Sequence, residues 1–104
     1  MAHKQLVDKM IAENKVMVFS KTYCPFCNMA KDALKKAGLS NFTVLELEDR
    51  SDCSDIQDYL KSKTGSRTVP QVFIAGKYIG GGSECKQLQS QGKLKKMLQD
   101  AGAL

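Results

Sequence analysis

The feature that most constrains this chain is an unbroken apolar run at residues 16–19, Val-Met-Val-Phe, with polar residues on either side. A strand that faces water on one side alternates apolar and polar residues, whereas a strand covered on both faces does not. The run therefore predicts a central strand with helices on both faces of its sheet. Hydrophobic residues make up 42% of the 104 residues and charged residues 26%, a composition typical of a packed globule. We expect a single domain over residues 1–104.

The rest of the chain alternates between helical and strand periodicity, with no repeat or linker dividing it. The predicted elements, in order, are a helix that Asn14 and Lys15 close, the strand at 16–19, a helix over 24–37 terminated by Gly38, a strand over 42–47, a helix from Ser54 to Gly65, a strand over 71–75, a turn at Gly76-Lys77, a strand over 78–79, a helix from Ser83, and a helix marked by Leu94, Met97, Leu98 and Ala101.

This order predicts an α/β fold with a small mixed sheet. The first strand-helix-strand crossover is expected to be right-handed and parallel, and the later hairpin antiparallel, which gives four strands flanked by helices on both faces. In such sheets ligands gather at the carboxyl end of a strand. Here that end is Lys21-Thr22-Tyr23-Cys24.

Cys24-Pro25-Phe26-Cys27 lies at the predicted strand-to-helix junction. A thiolate is the reactive form of cysteine, and the free N–H groups and positive dipole end of a helix N-terminus stabilise it. Lys21 adds a positive charge nearby, and Pro25 suits the first helical position. Cys27, one turn later, is close enough for a disulfide and is expected to be more buried. We therefore predict that Cys24 attacks and Cys27 resolves.

Two other interpretations of the Cys24–Cys27 pair are a zinc site and a purely structural pair. Zinc needs a second ligand pair, but Cys53 and Cys85 are isolated and His3 is the single histidine, so we predict no metal site. A structural pair leaves the placement at a helix N-terminus unexplained. Cys53 and Cys85 are interpreted as unreactive thiols.

Charge and hydropathy exclude several classes of protein. The net charge is +5, but the lysines are scattered and no basic-aromatic cluster suggests nucleic acid binding. No apolar run reaches the length of a membrane span, and the first four residues lack a signal-peptide pattern. We expect a cytoplasmic protein without nucleic acid or membrane partners.

Three motifs in this order resemble the dithiol glutaredoxins: residues 21–27, Lys-Thr-Tyr-Cys-Pro-Phe-Cys; residues 68–70, Thr-Val-Pro; and the pair Gly80-Gly81. The resemblance implies a thioredoxin-like fold. It also implies glutathione as co-substrate, with no permanently bound cofactor, and reduction of protein disulfides and protein-glutathione mixed disulfides. The family usually has Tyr where this chain has Phe26. The single-cysteine branch, with Cys-Gly-Phe-Ser, handles iron-sulfur clusters and lacks Pro25 and Cys27.

The resemblance also implies a glutathione groove. Its expected residues are Lys21 and Gln57 for the glycyl carboxylate, Thr68 and Val69 for backbone pairing, a cis Pro70 facing the sulfur, Gly81 for close approach, Ser83 and Glu84 for the γ-glutamyl end, and Tyr23 as a wall. Ser83 is expected to be a helix N-cap. Ser54 and Gln57 also fit a capping box, and Tyr23 equally fits half-buried packing.

The predicted function is therefore that of a monomeric glutathione-disulfide oxidoreductase acting on glutathionylated and disulfide-containing proteins. The alternative is a dimer that binds a [2Fe-2S] cluster through one Cys24 per chain and two glutathiones. Pro25 is expected to crowd such a dimer. Because Cys85 lies near the presumed groove, its secondary glutathionylation is a further hypothesis.

Overall fold

The computed structural model describes residues 2–104; Met1, the first residue of the predicted domain, lies outside them. The elements are α1 (Ala2–Glu13), β1 (Val16–Ser20), α2 (Pro25–Lys36), β2 (Thr43–Glu46), α3 (Cys53–Thr64), β3 (Gln71–Ile74), β4 (Lys77–Gly80), α4 (Gly82–Ser90) and α5 (Lys93–Asp100). None of the helices within 2–104 is both long and apolar enough to cross a membrane.

The four strands form one mixed sheet in the order β2-β1-β3-β4. β1 pairs in parallel with β2 and antiparallel with β3, and β3 pairs antiparallel with β4. The unbroken apolar run therefore lies in an interior strand, and all five residues of β1 are buried. The predicted fold class is confirmed.

Alternate residues of β1 point to opposite faces of the sheet, as strand geometry requires. Val16 and Val18 join a core with apolar residues of α2, α4 and α5. Met17 and Phe19 join a second core with residues of α1 and α3. A strand with helices on both faces needs apolar residues at every position, which explains the run.

Most helix ends agree with the prediction, but the start of α3 does not. Gly38 and Gly65 follow α2 and α3 with left-handed φ values of 108° and 86°. Ser54 was expected to open α3; instead the helix begins at Cys53, with Asp52 as N-cap. The Asp52 carboxylate pairs with Arg50 instead of capping the helix, which a local capping pattern does not reveal.

The hairpin turn lies one residue earlier than predicted. Ala75 and Gly76 form the two-residue loop, with φ values of 52° and 81°, and Lys77 already belongs to β4. Positive φ at both central residues fits the twist of a tight hairpin. The Ala75 N–H also donates to the Lys15 carbonyl at 2.8 Å, a contact from outside the hairpin. β2 is likewise shorter than the predicted 42–47.

Candidate active site

Cys24 is the N-cap of α2, directly after the turn that follows β1. Its backbone N–H donates to the Lys21 carbonyl at 3.2 Å, which closes that turn. Pro25 occupies the first turn of the helix, as predicted. The backbone N–H of Cys27 donates to Cys24 Sγ at 3.3 Å. The helix start thus directs a donor at the sulfur, the arrangement that stabilises a thiolate.

The two active-site sulfurs have unequal surroundings. Cys24 is partly exposed, whereas Cys27 has no exposed surface. Burial, followed by the neighbouring Cys24, raises the pKa of Cys27 to about 11. At neutral pH Cys27 is therefore a protonated, enclosed thiol, and Cys24 is the sulfur that a substrate reaches first.

Glu48 holds the active-site turn in place and was not predicted from the sequence. Its Oε2 accepts hydrogen bonds from the backbone N–H of Thr22, at 2.7 Å, and from the Thr22 hydroxyl. These bonds lower the pKa of Glu48, the hydroxyl contributing most. Glu48 follows β2, and the parallel pairing of β1 with β2 brings the two strand ends together.

The segment before β3 faces the reactive sulfur. The Val69-Pro70 bond is cis, as the resemblance implied. The Cys24 thiol lies 3.8 Å from the Val69 carbonyl, to which it donates. Within residues 2–104 the Val69 N–H has no hydrogen-bond partner, so this backbone is open for pairing. The buried Gln71 side chain holds the segment by donating to the Thr68 carbonyl at 3.0 Å.

The N-terminus of α4 forms the other side of the site, and its cap is not Ser83. Gly81 is the N-cap, and Ser83 lies inside the first turn. The Gly81 N–H donates to Glu84 Oε1 at 2.8 Å, so the helix start is capped by the later Glu84 rather than by a serine hydroxyl. The first N–H groups of the helix, those of Gly82, Ser83 and Glu84, have no partner within the described chain.

Gly82 allows α4 to approach α2 closely. A Cβ at this position would lie 2.3 Å from the Phe26 carbonyl oxygen. A Cβ at Gly81 would lie 3.2 Å from the Pro70 carbonyl oxygen. Both glycines therefore allow close contacts within the protein, and close approach of a ligand to Gly81 stays a prediction.

An open cleft of about 360 Å³ lies between these segments. It brings together most of the predicted glutathione residues, namely Thr68, Val69, Pro70, Gly81, Ser83 and Glu84. Gly82, which was expected beside Gly81 for close approach to the ligand, also lines it; Phe26, Ser66 and Tyr78 line it too and were not predicted. Burial, followed by the charge of Glu84, raises the pKa of Tyr78. In the sequence, the one signal that could have placed Tyr78 in the cleft is its position two residues before the glycine run.

Three predicted residues lie outside the cleft lining. Tyr23 is 68% exposed, so half-buried packing is wrong. Lys21 is partly buried, and its ammonium forms no ion pair within the described residues. Gln57 is buried and donates to the Arg67 carbonyl at 3.0 Å. The capping box of Ser54 and Gln57 is therefore wrong, because the glutamine side chain points to a different segment.

The remaining cysteines are held apart from this chemistry. Cys85 has no exposed surface, and burial, followed by the charge of Glu84, raises its pKa to about 12. The Cys53 thiol is partly buried and donates to Gln57 Oε1 at 3.3 Å. The burial of Cys85 opposes the hypothesis that it is glutathionylated.

Comparison with known proteins points to one family. A family model described as Glutaredoxin matches residues 16–79. The chain is 46% identical over 96 residues to a glutaredoxin of Vernicia fordii, covering 92% of this chain and 91% of that protein. It is 44% identical over 100 residues to glutaredoxin-C2 of Arabidopsis thaliana, covering 96% and 89%.

Solved structures agree as well. The crystal structure of oxidized glutaredoxin 2 from Chlamydomonas reinhardtii matches with a TM-score of 0.95 and 50% identity, covering 99% of this chain and 96% of that one. A buckwheat glutaredoxin-glutathione complex matches with a TM-score of 0.91 and 39% identity, covering 99% and 93%. The resemblance seen in the sequence is thus confirmed, and this chain belongs to the glutaredoxin family of glutathione-dependent thiol-disulfide oxidoreductases.

Proposed function

We propose that the protein reduces mixed disulfides between glutathione and proteins, and also protein disulfides, through Cys24. The observation that carries this proposal is the unequal environment of the two thiols. Cys24 is partly exposed, accepts a helix N–H and lies 3.8 Å from the carbonyl of Val69, a residue of the cleft, whereas Cys27 is enclosed. An accessible nucleophile with a shielded partner supports reaction through one sulfur, with the second acting only afterwards.

In the first step the Cys24 thiolate attacks the glutathione sulfur of a glutathionylated protein. A Cys24-glutathione disulfide forms, and the target leaves as a thiolate that takes a proton from solvent. A second glutathione thiolate then attacks the glutathione sulfur of this adduct. Oxidised glutathione forms and Cys24 is released as a thiolate. One free glutathione is therefore consumed for each mixed disulfide that is reduced.

Protein disulfides require the second sulfur. Attack by Cys24 gives a mixed disulfide with the target protein, and Cys27 displaces that protein by bonding to Cys24. Glutathione afterwards reduces the Cys24–Cys27 bridge. Because the high pKa of Cys27 keeps it protonated, this route is expected to be slower than exchange at Cys24 alone.

The cleft supports a specific placement of glutathione. The open backbone of Val69 is available for short β-like pairing with the glutathione peptide. The free N–H groups at the start of α4 suit the γ-glutamyl carboxylate, because a helix N-terminus favours anions. Glu84 already uses Oε1 for the Gly81 N–H, which leaves Oε2 for the γ-glutamyl ammonium. The solved buckwheat glutaredoxin-glutathione complex, on a closely matching backbone, supports this class of ligand.

The two cysteine variants test the proposed division of labour. Reduction of a glutathionylated peptide, coupled to glutathione oxidation, is measured for Cys27→Ser and Cys24→Ser, with Cys53→Ser as a matched control. We expect Cys27→Ser to keep the reaction but to lose reduction of protein disulfides, and Cys24→Ser to lose both. Loss of all activity in Cys27→Ser alone would contradict a one-sulfur route.

Lys21, Tyr23 and Gln57 stay predictions as glutathione residues. Lys21→Gln is expected to raise the KM for glutathione, because its ammonium is the cation on the turn that carries Cys24. Lys35→Gln, on the exposed end of α2, is the matched control. Equal KM values in the two variants would remove Lys21 from the site.

We also propose a monomer that resides in the cytoplasm and uses glutathione without a permanent cofactor. The cluster-binding dimer is the competing prediction. Size-exclusion chromatography of protein purified without oxygen, with absorbance recorded in the visible range, separates the two. A coloured dimer would favour the cluster.

A further inference from the structure

Ser20, the last residue of β1, carries a buried hydroxyl that the function described so far does not use. The residue has no exposed surface, and its Oγ has no hydrogen-bond partner within residues 2–104. Buried hydroxyls are paired in most proteins because an unpaired one loses its bonds to water without replacement. An unpaired hydroxyl one residue before the active-site turn therefore calls for a functional explanation.

By strand alternation the Ser20 side chain points to the same face of β1 as Val16 and Val18, the face that packs against α2, and Cys27 lies in the first turn of that helix. Burial and the neighbouring Cys24 raise the pKa of Cys27, whereas the Lys21 N–H and the Ser20 hydroxyl both act to lower it. The Lys21 N–H donates to Cys27 Sγ at 3.4 Å. Lys21 thus presents its backbone donor to the buried sulfur, and the unpaired hydroxyl belongs to the residue directly before it. Cys24 is the titratable group that acts on Cys27 there.

The hydroxyl makes no hydrogen bond to Cys27 in this structure, and the charge on the sulfur decides how strong such a bond can be. A thiol sulfur is a weak acceptor, whereas a thiolate is a strong, charged one. A bond from the Ser20 hydroxyl to Cys27 is therefore weak when Cys27 is protonated and stronger when Cys27 carries negative charge. To form the bond the Ser20 side chain turns about its single side-chain torsion toward the sulfur.

We propose that the Ser20 hydroxyl stabilises negative charge on Cys27 Sγ whenever the Cys24–Cys27 disulfide forms or breaks. This inference rests on the proposed dithiol route. On closing, Cys27 gives its proton to solvent and its Sγ bonds to Cys24 Sγ; the bond from Cys24 to glutathione breaks, and glutathione leaves as a thiolate. On opening, a glutathione thiolate bonds to Cys24 Sγ and Cys27 leaves as the thiolate.

Ser20 thereby sets the balance between the two routes. Exchange at Cys24 alone places no charge on Cys27, so the hydroxyl gives that route no advantage. The dithiol route places charge on Cys27 in both directions. Ser20 is thus a determinant of how readily the protein reduces protein disulfides as opposed to glutathione mixed disulfides.

The test follows disulfide closure directly. Reduced protein is mixed with oxidised glutathione and quenched in acid at successive times, and mass spectrometry measures the glutathione adduct and the closed disulfide. We expect Ser20→Ala to close about three- to tenfold more slowly, since it loses a bond to a charged atom while a more basic thiolate regains part of the nucleophilicity. Its rate profile should shift to higher pH, and Ser20→Thr, which keeps a hydroxyl, should restore closure.

Adduct formation on Cys24, measured in the same samples, is the internal reference. Equal closure rates in wild type and Ser20→Ala would overturn the inference, and so would an equal slowing of adduct formation and closure, because that indicates a distorted site. Reduction of the preformed disulfide by glutathione is the second measurement and should be slowed in the same variant. If the wild-type protein forms no adduct at all, the proposed function itself fails and not the role of Ser20.

Discussion

Gly82→Ala is expected to separate the two helix starts that form the active site. In a helix this change normally stabilises by up to about 1 kcal/mol, because alanine has the higher helix propensity. Here the new Cβ would lie 2.3 Å from the Phe26 carbonyl oxygen, which belongs to the rigid first turn of α2. A tolerable contact is longer by about 1 Å, so the backbone of one helix must move.

The magnitude follows from that displacement. Overpacking of this kind costs about 1–3 kcal/mol of folding free energy, and a 1 Å misplacement of binding groups costs up to about a hundredfold in rate. We therefore expect the free energy of unfolding, measured by urea denaturation, to fall by about 2 kcal/mol. The kcat/KM for glutathione should fall about ten- to a hundredfold.

Gly92→Ala separates lost stability from lost geometry. Gly92 lies between α4 and α5 with a φ of 74° and no atom near a new Cβ, so the cost there is about 1 kcal/mol of backbone strain. Its kcat/KM should match the wild type. The reasoning is refuted if Gly82→Ala is as stable and as active as the wild type, or if Gly92→Ala loses as much activity as Gly82→Ala.

Further predictions concern the thiols and the active-site turn. In the reduced protein at pH 7–9, iodoacetamide should alkylate Cys24 but leave Cys27 unmodified, because the pKa of Cys27 is raised to about 11; peptide mass mapping that finds both modified would contradict this. Oxidised glutathione should never modify Cys85 in the folded protein, while the unfolded chain in denaturant serves as the control. The folded-state pKa of Glu48 lies below its unfolded value, so its hold on Thr22 is complete above the unfolded pKa and is lost as pH falls through the folded pKa; amide-exchange protection of Thr22, measured by NMR, should decline there, and a protection independent of pH would argue against the contact.

The central strand and its flanking helices were predictable because their signals are local. The apolar run of β1 predicts burial on both faces, and Gly38 and Gly65 mark helix ends through a φ that other residues avoid. Predictions went wrong where a distant segment competes with the local pattern. The side chain of Gln57 fits a capping box but bonds to Arg67 instead.

In the candidate site, too, features set by local sequence were predictable and contacts between distant segments were not. The spacing of Cys24 and Cys27, with a proline at the helix start, was sufficient to predict that Cys27 is the more buried thiol, and the structure confirms this difference. The attacking and resolving roles stay predictions. Glu48 and Ser20 were not predicted, because neither belongs to a motif. The position of Glu48 depends on which strand end lies beside the active-site turn, whereas Ser20 precedes that turn in sequence and only its burial required the fold.

The sequence by itself determined the chemistry, because the thiol pair, its proline and its place before a helix are contiguous, and backbone N–H groups at a helix start point at the sulfur whatever surrounds them. Only the tertiary structure decided which residues face that sulfur pair. Pairing of β1 with β2 and β3 brings Glu48 and Val69 to one edge of the sheet, and the bare backbone of Gly82 lets α4 approach α2. Such contacts join residues far apart in the chain, and the periodicity of the sequence does not reveal them.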